Sequence, residues 1–144
     1  MDDTEHLTAA VIRLARHLEI GRRETLAARE IDVWEYDVLV VLREADQPAG
    51  LSPGALIAAT QVASGTMTNR VDRLARRGLV TREPDPNDRR GVLVRLTTAG
   101  RRKVDQARGD VRKAEARLLS SLGPRKRGQA AAGIAEALGA FERT

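Results

Sequence analysis

The placement of helix starts and stops between Ser52 and Gly91 constrains this chain more than any other feature. Ser52-Pro53 reads as a helix start, because a serine oxygen can accept from a free N–H of the first turn and proline suits the first helical position. Leu56, Ile57 and Ala59 then support a short helix to about Thr60. Another helix follows, with Ser64 as its expected cap, running to Arg77 before Gly78 stops it. Two helices joined by a turn of about three residues, Gln61 to Ala63, make a helix-turn-helix pair. Leu79 to Glu83 and Val92 to Leu96 are β-prone runs. Between them Pro84-Asp85-Pro86-Asn87-Asp88-Arg89-Arg90-Gly91 is a turn-rich loop that cannot stay helical, so the segment reads as a hairpin with a basic tip.

Helices flank this middle. Leu7, Val11, Leu14 and Leu18 recur at helical spacing, which predicts an amphipathic helix over residues 5–28. Asp32 with Glu35 three residues later has capping-box spacing for a second helix that buries Trp34, Val38, Val41 and Leu42. It ends near Ala45, where Asp46, Gln47, Pro48, Ala49 and Gly50 make a break. After Thr97 or Thr98 a long helix carries Val104, Ala107, Val111, Ala114 and Leu118 at spacings of three and four. That pattern suits a seam between helices packed lengthwise or, equally, a core stripe within one chain. Gly123-Pro124 breaks it, and a last helix to Phe141 is expected to bury Ala131, Ile134, Leu138 and Phe141. The expected fold class is mainly α with a small β-hairpin (α+β), as one domain over residues 1–144.

Composition then excludes whole classes of function. The chain has no cysteine, so disulfide frameworks, zinc-thiolate sites and thiol redox switches are all absent. At 144 residues it can bury roughly two thirds of its unfolded surface and needs no such staples. No apolar run approaches the ~20 residues of a membrane span. The amino end carries Asp2, Asp3 and Glu5 where a signal peptide would need positive charge, which predicts a soluble, cytoplasmic protein. His6 and His17 are the only histidines, and there is no nucleophile elbow, Gly-rich phosphate loop or spaced metal-ligand cluster. No catalytic, metal or cofactor site is therefore expected. Twenty-five Lys and Arg against twenty Asp and Glu give a net charge of +5, which favours polyanionic partners but is equally explained by solubility. With aromatic residues at only 2%, stacking platforms for single-stranded nucleic acid are poorly supplied.

The position of the basic residues is more telling than their number. At about 100° per residue, Thr66, Arg70, Arg73 and Arg77 share an arc of about 60°, while Met67, Val71, Leu74 and Ala75 lie opposite. Asn69 and Arg76 border the cationic stripe, and Ser64, Gly65 and Thr66 allow a close backbone approach at the start of the helix. Such a helix fits the major groove, where Asn can pair with adenine and Arg with guanine. Arg89 and Arg90 on the hairpin loop stand where a wing could enter an adjacent minor groove. Taken singly, these features are also a solvated basic face and a charged turn; together they favour duplex DNA.

These residues carry a resemblance. Leu51 to Gly100, and within it SGTMTNRVDRLARRGLV and DPNDRRGVLVRLTTAG, resembles the winged-helix core of the MarR family of transcriptional regulators, and the flanking helices agree in number and length. The resemblance implies a winged helix-turn-helix over residues 32–97 between dimerisation helices at 5–28 and 98–142. It also implies a homodimeric repressor on a pseudo-palindromic operator, associated with the nucleoid. Ser64, Thr66, Thr68, Asn69, Arg70 and Arg73 would be recognition-helix contacts, Arg90 the minor-groove contact, and Asp88 a brace for a basic neighbour. SGTMTNRVDRL with VWEYDVL is further similar to the subgroup that responds to urate and related anions, which places a small anionic or aromatic effector among Asp37, Arg82 and Arg90. That subgroup completes its pocket with a Trp on an additional amino-terminal helix that this sequence lacks; Trp34 lies in the second helix and reads as core. The competing reading is a winged-helix architectural or protein-interaction module without ligand response. The aligned arginines argue against a surface made only for protein.

Overall fold

A computed structural model describes residues 2–45 and 47–142; Asp46, expected in the break after the second helix, lies outside the described residues. Helix α1 (Asp3–Ala27) opens with a complete capping box: Asp2 Oδ1 accepts from Glu5 N at 2.8 Å, and Glu5 Oε2 accepts from Asp2 N at 3.1 Å. In α2 (Val33–Ala45), Glu35 Oε1 accepts from the N–H of Asp32 at 3.1 Å, which is the carboxylate half of the expected box. Helix α3 (Pro53–Thr60) starts as its sequence dictates, with Ser52 Oγ accepting from Ala55 N at 3.1 Å. Helix α4 (Ser64–Arg76) differs in one respect, because its cap is Ala63, not Ser64, and no side chain closes its first turn.

The hairpin is longer than the sequence predicts. Strands β1 (Val80–Asp85) and β2 (Asp88–Leu96) pair antiparallel from Val80↔Leu96 to Pro84↔Val92, shift register, and end at Asp85↔Asp88. Only Pro86 and Asn87 lie between the strands, so most of the expected loop 84–91 is ribbon. Pro84 is tolerated because each strand of a two-stranded ribbon has an edge without a partner. At the base of the ribbon, Leu51 exchanges both backbone hydrogen bonds with Val94, at 2.9 and 2.8 Å. Gly50 makes this approach possible. Its φ is +92°, and a Cβ there would stand 2.3 Å from the Val94 carbonyl oxygen.

Helix α5 (Thr98–Leu118) is capped by Thr97, whose Oγ1 accepts from Gly100 N at 2.9 Å and donates to the Gly78 carbonyl at 2.7 Å. Val104, Ala107 and Val111 point into the core with Leu26, Leu39, Leu74 and Val94. The first part of the predicted seam is thus intramolecular, while Leu118 at its far end is exposed. Four ion pairs tie α5 to its neighbours: Arg22–Glu115 to α1, Arg29–Asp110 to the turn after α1, and Arg43–Asp105 and Arg108–Glu44 to α2.

One expectation of burial fails: none of the described residues of α6 (Pro124–Glu142) is buried, including Ala131, Ile134, Leu138 and Phe141. On α1 the apolar residues Leu7, Val11 and Leu14 are exposed as well. Their helical period is as predicted, but none of the other described residues covers those faces.

Candidate nucleic-acid interface

Helix α4 is built to be anchored on one side and open on the other. Met67, Val71 and Leu74 are buried against the core. Ser64, Gly65, Thr66, Thr68, Asn69, Arg73 and Arg76 are exposed, and Arg70 is half-buried. Because Ala63 offers no capping oxygen, the first-turn N–H groups have no side-chain acceptor, an arrangement suited to an incoming anion. The Thr68 hydroxyl donates back to the Ser64 carbonyl at 3.2 Å.

The cationic stripe does not behave as one surface. Its lower part leans on the first turn of α2. Arg77 forms an ion pair with Glu35 and donates to the Glu30 carbonyl at 2.8 Å, so this residue, expected on the DNA face, is turned to the protein. The physical reason is a buried carboxylate: Glu35 is only 3% exposed and needs a cationic partner. Arg70 and Arg73 lie over the Trp34 ring, with Cζ atoms 5.3 and 4.9 Å from its centroid. Trp34, read from sequence as core, is half-buried and carries both guanidinium groups on its ring. Among the described residues, neither Arg70 nor Arg73 is in an ion pair.

On the ribbon, Arg89 and Arg90 are exposed and likewise outside any ion pair among the described residues. Asp88 Oδ1 accepts from the backbone N–H of Arg90 at 3.0 Å, which braces the tip. Arg82 at the root of β1 pairs with Asp72 of α4 and donates to the Thr68 carbonyl at 3.4 Å, fixing the ribbon beside the open face of α4.

The residues expected around an effector are not brought together. Arg82 and Arg90 line a concavity on the ribbon of about 310 Å³, while Asp37 lines a separate cavity of about 810 Å³ with Arg23, Trp34, Val40 and Arg70. Asp37 is exposed, yet local desolvation raises its carboxyl above its ordinary pKa, against the pull of Arg22 and Arg70. Sequence reasoning missed Arg23 and Trp34 as cavity walls, because nothing in the helical period says that α1 and α2 stand apart there.

Comparison with known proteins agrees with this geometry. Residues 29–91 match the sequence profile of the MarR family. The chain is 36% identical over 107 residues to the multiple antibiotic resistance protein MarR of Escherichia coli, covering 69% of this chain and 72% of that protein. It is 38% identical over 66 residues to the transcriptional regulator PecS of Dickeya dadantii, covering 46% of this chain and 40% of that protein. Among solved structures, a cysteine-to-serine mutant of E. coli MarR in complex with operator DNA superposes with a TM-score of 0.78 at 27% identity, covering 96% of this chain and 99% of that one. CouR of Rhodococcus jostii bound to p-coumaroyl-CoA gives 0.72 at 28% identity, over 92% of this chain and 90% of that one. The likeness extends over nearly the whole chain and includes the ribbon and both terminal helices, and the chain belongs to the MarR family of winged-helix, DNA-binding transcriptional regulators.

Proposed function

We propose that this chain is a ligand-responsive homodimeric repressor, acting in the cytoplasm at the nucleoid and not as an enzyme. Residues 32–97 read a pseudo-palindromic duplex, and the helices at 5–28 and 98–142 join two copies. Helix α4 enters the major groove with Ser64, Thr66, Thr68, Asn69, Arg70 and Arg73, and the ribbon carries Arg89 and Arg90 to the minor groove. The observation that carries this reading is the division of the guanidinium groups. Arg77 and Arg82 are paired with carboxylates, whereas Arg70, Arg73, Arg89 and Arg90 are outside any ion pair among the described residues. The related E. coli protein was crystallised with operator DNA, which supports the same use of the same elements.

The effector site is the cavity beside α4, not the Asp37, Arg82 and Arg90 set. The cavity offers an aromatic ring, apolar walls at Val33 and Val40, and two cations, Arg23 and Arg70, beside two carboxylates, Asp32 and Asp37; the raised proton affinity of Asp37 lessens its repulsion of a small aromatic anion drawn to the arginines. Because Arg70 belongs to both the cavity and the reading helix, an anion held there competes with DNA for the same side chain.

Selection of bound fragments from a random-sequence pool tests the proposal, and a palindrome with two equal half-sites is the expected product. On that duplex, Arg73→Ala should cost about 1–3 kcal/mol and relax preference at one base pair. Arg90→Ala should reduce the slope of log affinity against log salt by about 0.9 if it neutralises one phosphate. Recovery of no preferred sequence, with both variants binding as the parent does, would leave an architectural or protein-contact module instead.

A further inference from the structure

We propose that Trp34 is a positioning residue for DNA reading: its ring holds the guanidinium groups of Arg70 and Arg73 in place while leaving their hydrogen-bond donors free for the duplex. The inference rests on the DNA-reading function proposed above and adds to it the residue that orders the reading side chains. Both Cζ atoms, at 5.3 and 4.9 Å from the ring centroid, are inside the ~6 Å reach of a cation over an aromatic face. Trp34 is the second residue of α2 and packs against the core, so the platform is fixed to the scaffold and not to α4 itself.

Arginine is long and rich in rotamers, and immobilising it on a ligand costs entropy unless something orders it beforehand. Two arginines three residues apart on a helix also repel each other. A ring whose negative face meets both cations offsets the repulsion and orders the side chains together. An acidic partner would do the same but would occupy the N–H donors, as happens at Arg77 with Glu35 and at Arg82 with Asp72. Holding a cation over a ring uses no acceptor, so the donors that read a guanine edge stay available. The opposite possibility is that the ring parks the arginines away from DNA. The two differ in sign, since weakening the ring then tightens binding instead of loosening it.

The chain contains one tryptophan, so growth on fluorinated tryptophans alters position 34 alone. Stepwise fluorination depletes the negative face of the ring with little change in shape. On the duplex that the unmodified protein selects from a random pool, affinity should fall in steps, by about three- to tenfold in total, with an unchanged unfolding temperature. In a variant carrying both Arg70→Ala and Arg73→Ala, the same series should have no effect on the residual binding. A flat series, a series that tightens, or a decline that persists without the two arginines overturns the inference while leaving DNA reading intact. An unmodified protein that selects no duplex removes DNA reading, and this inference with it.

Discussion

Glu35 is the only charged residue buried among the described residues, and its partner Arg77 is the residue whose role changes most between sequence and structure. Removing one member of such a pair leaves a charge without compensation, a loss that partial exposure of Arg77 reduces. Arg77→Ala is therefore expected to lower unfolding free energy by about 2–3 kcal/mol, read as a lower urea midpoint at constant slope. Arg73→Ala, exposed and held only by the Trp34 ring, should change it by less than about 1 kcal/mol. An Arg77→Ala protein of normal stability but relaxed base preference would return that residue to the DNA. Asp37 gives a second residue-scale expectation, in pH. Its folded pKa is raised by local desolvation, so the native state holds the proton longer than the unfolded chain and stability falls as pH rises from the ordinary carboxylate range through the raised value. Asp37→Asn removes that penalty, and its stability relative to the parent should improve over the same window and then level off. Equal pH profiles in urea titrations would show that Asp37 is not desolvated.

Between elements, a tight joint lies where the start of α5 meets Leu79, the residue before β1. A Cβ on Gly100 would stand 2.0 Å from the Leu79 carbonyl oxygen, so Gly100→Ala must push the helix start away from the ribbon. The gain in helix propensity, about 1 kcal/mol, does not offset a backbone clash, and a net loss of about 1–3 kcal/mol is expected with weakened DNA binding. Gly109 in the same helix has nothing within 4 Å of such a Cβ, and Gly109→Ala should stabilise by about 0.5–1 kcal/mol. Thermal unfolding of the two variants checks both signs. Sequence periodicity and local capping made most elements readable: Ser52-Pro53 starts α3 where expected, and Met67, Val71 and Leu74 are the buried side of α4. What failed was non-local. The ribbon runs past its β-prone residues because strand pairing, once begun at Val80↔Leu96, recruits neighbours of low propensity. Helical arithmetic put Arg77 in line with Arg70 but could not show that Glu35, forty-two positions away, would draw it off.

For the molecule as a whole, the decisive feature is apolar surface that the single chain leaves uncovered. Leu7 is 62% exposed on α1 and Leu138 51% on α6, with Ile12, Ile20 and Ile134 between 40% and 48%. A helix of 19 residues containing Gly128, Gly133 and Gly139 is marginal by itself, and helical stability in proteins comes mainly from packing an apolar face. The pairing of two copies proposed above, through these ends, would supply that packing and would set the spacing of two α4 helices on successive grooves. Substituting Ile134→Glu together with Leu138→Glu places charge where a partner must bury apolar surface, and the chain should sediment as a monomer. Binding to a single half-site should remain within a few-fold of the parent, since among the described residues α6 has no extensive contact with α4 or the ribbon. Binding to the full palindrome should weaken by about 10²–10⁴, the advantage conferred by linking two reading heads. Loss of half-site binding as well would mean that α6 is needed for the fold of one chain. A parent protein that is monomeric at micromolar concentration yet binds the full site tightly would refute the dimer, because the avidity would then have no physical source.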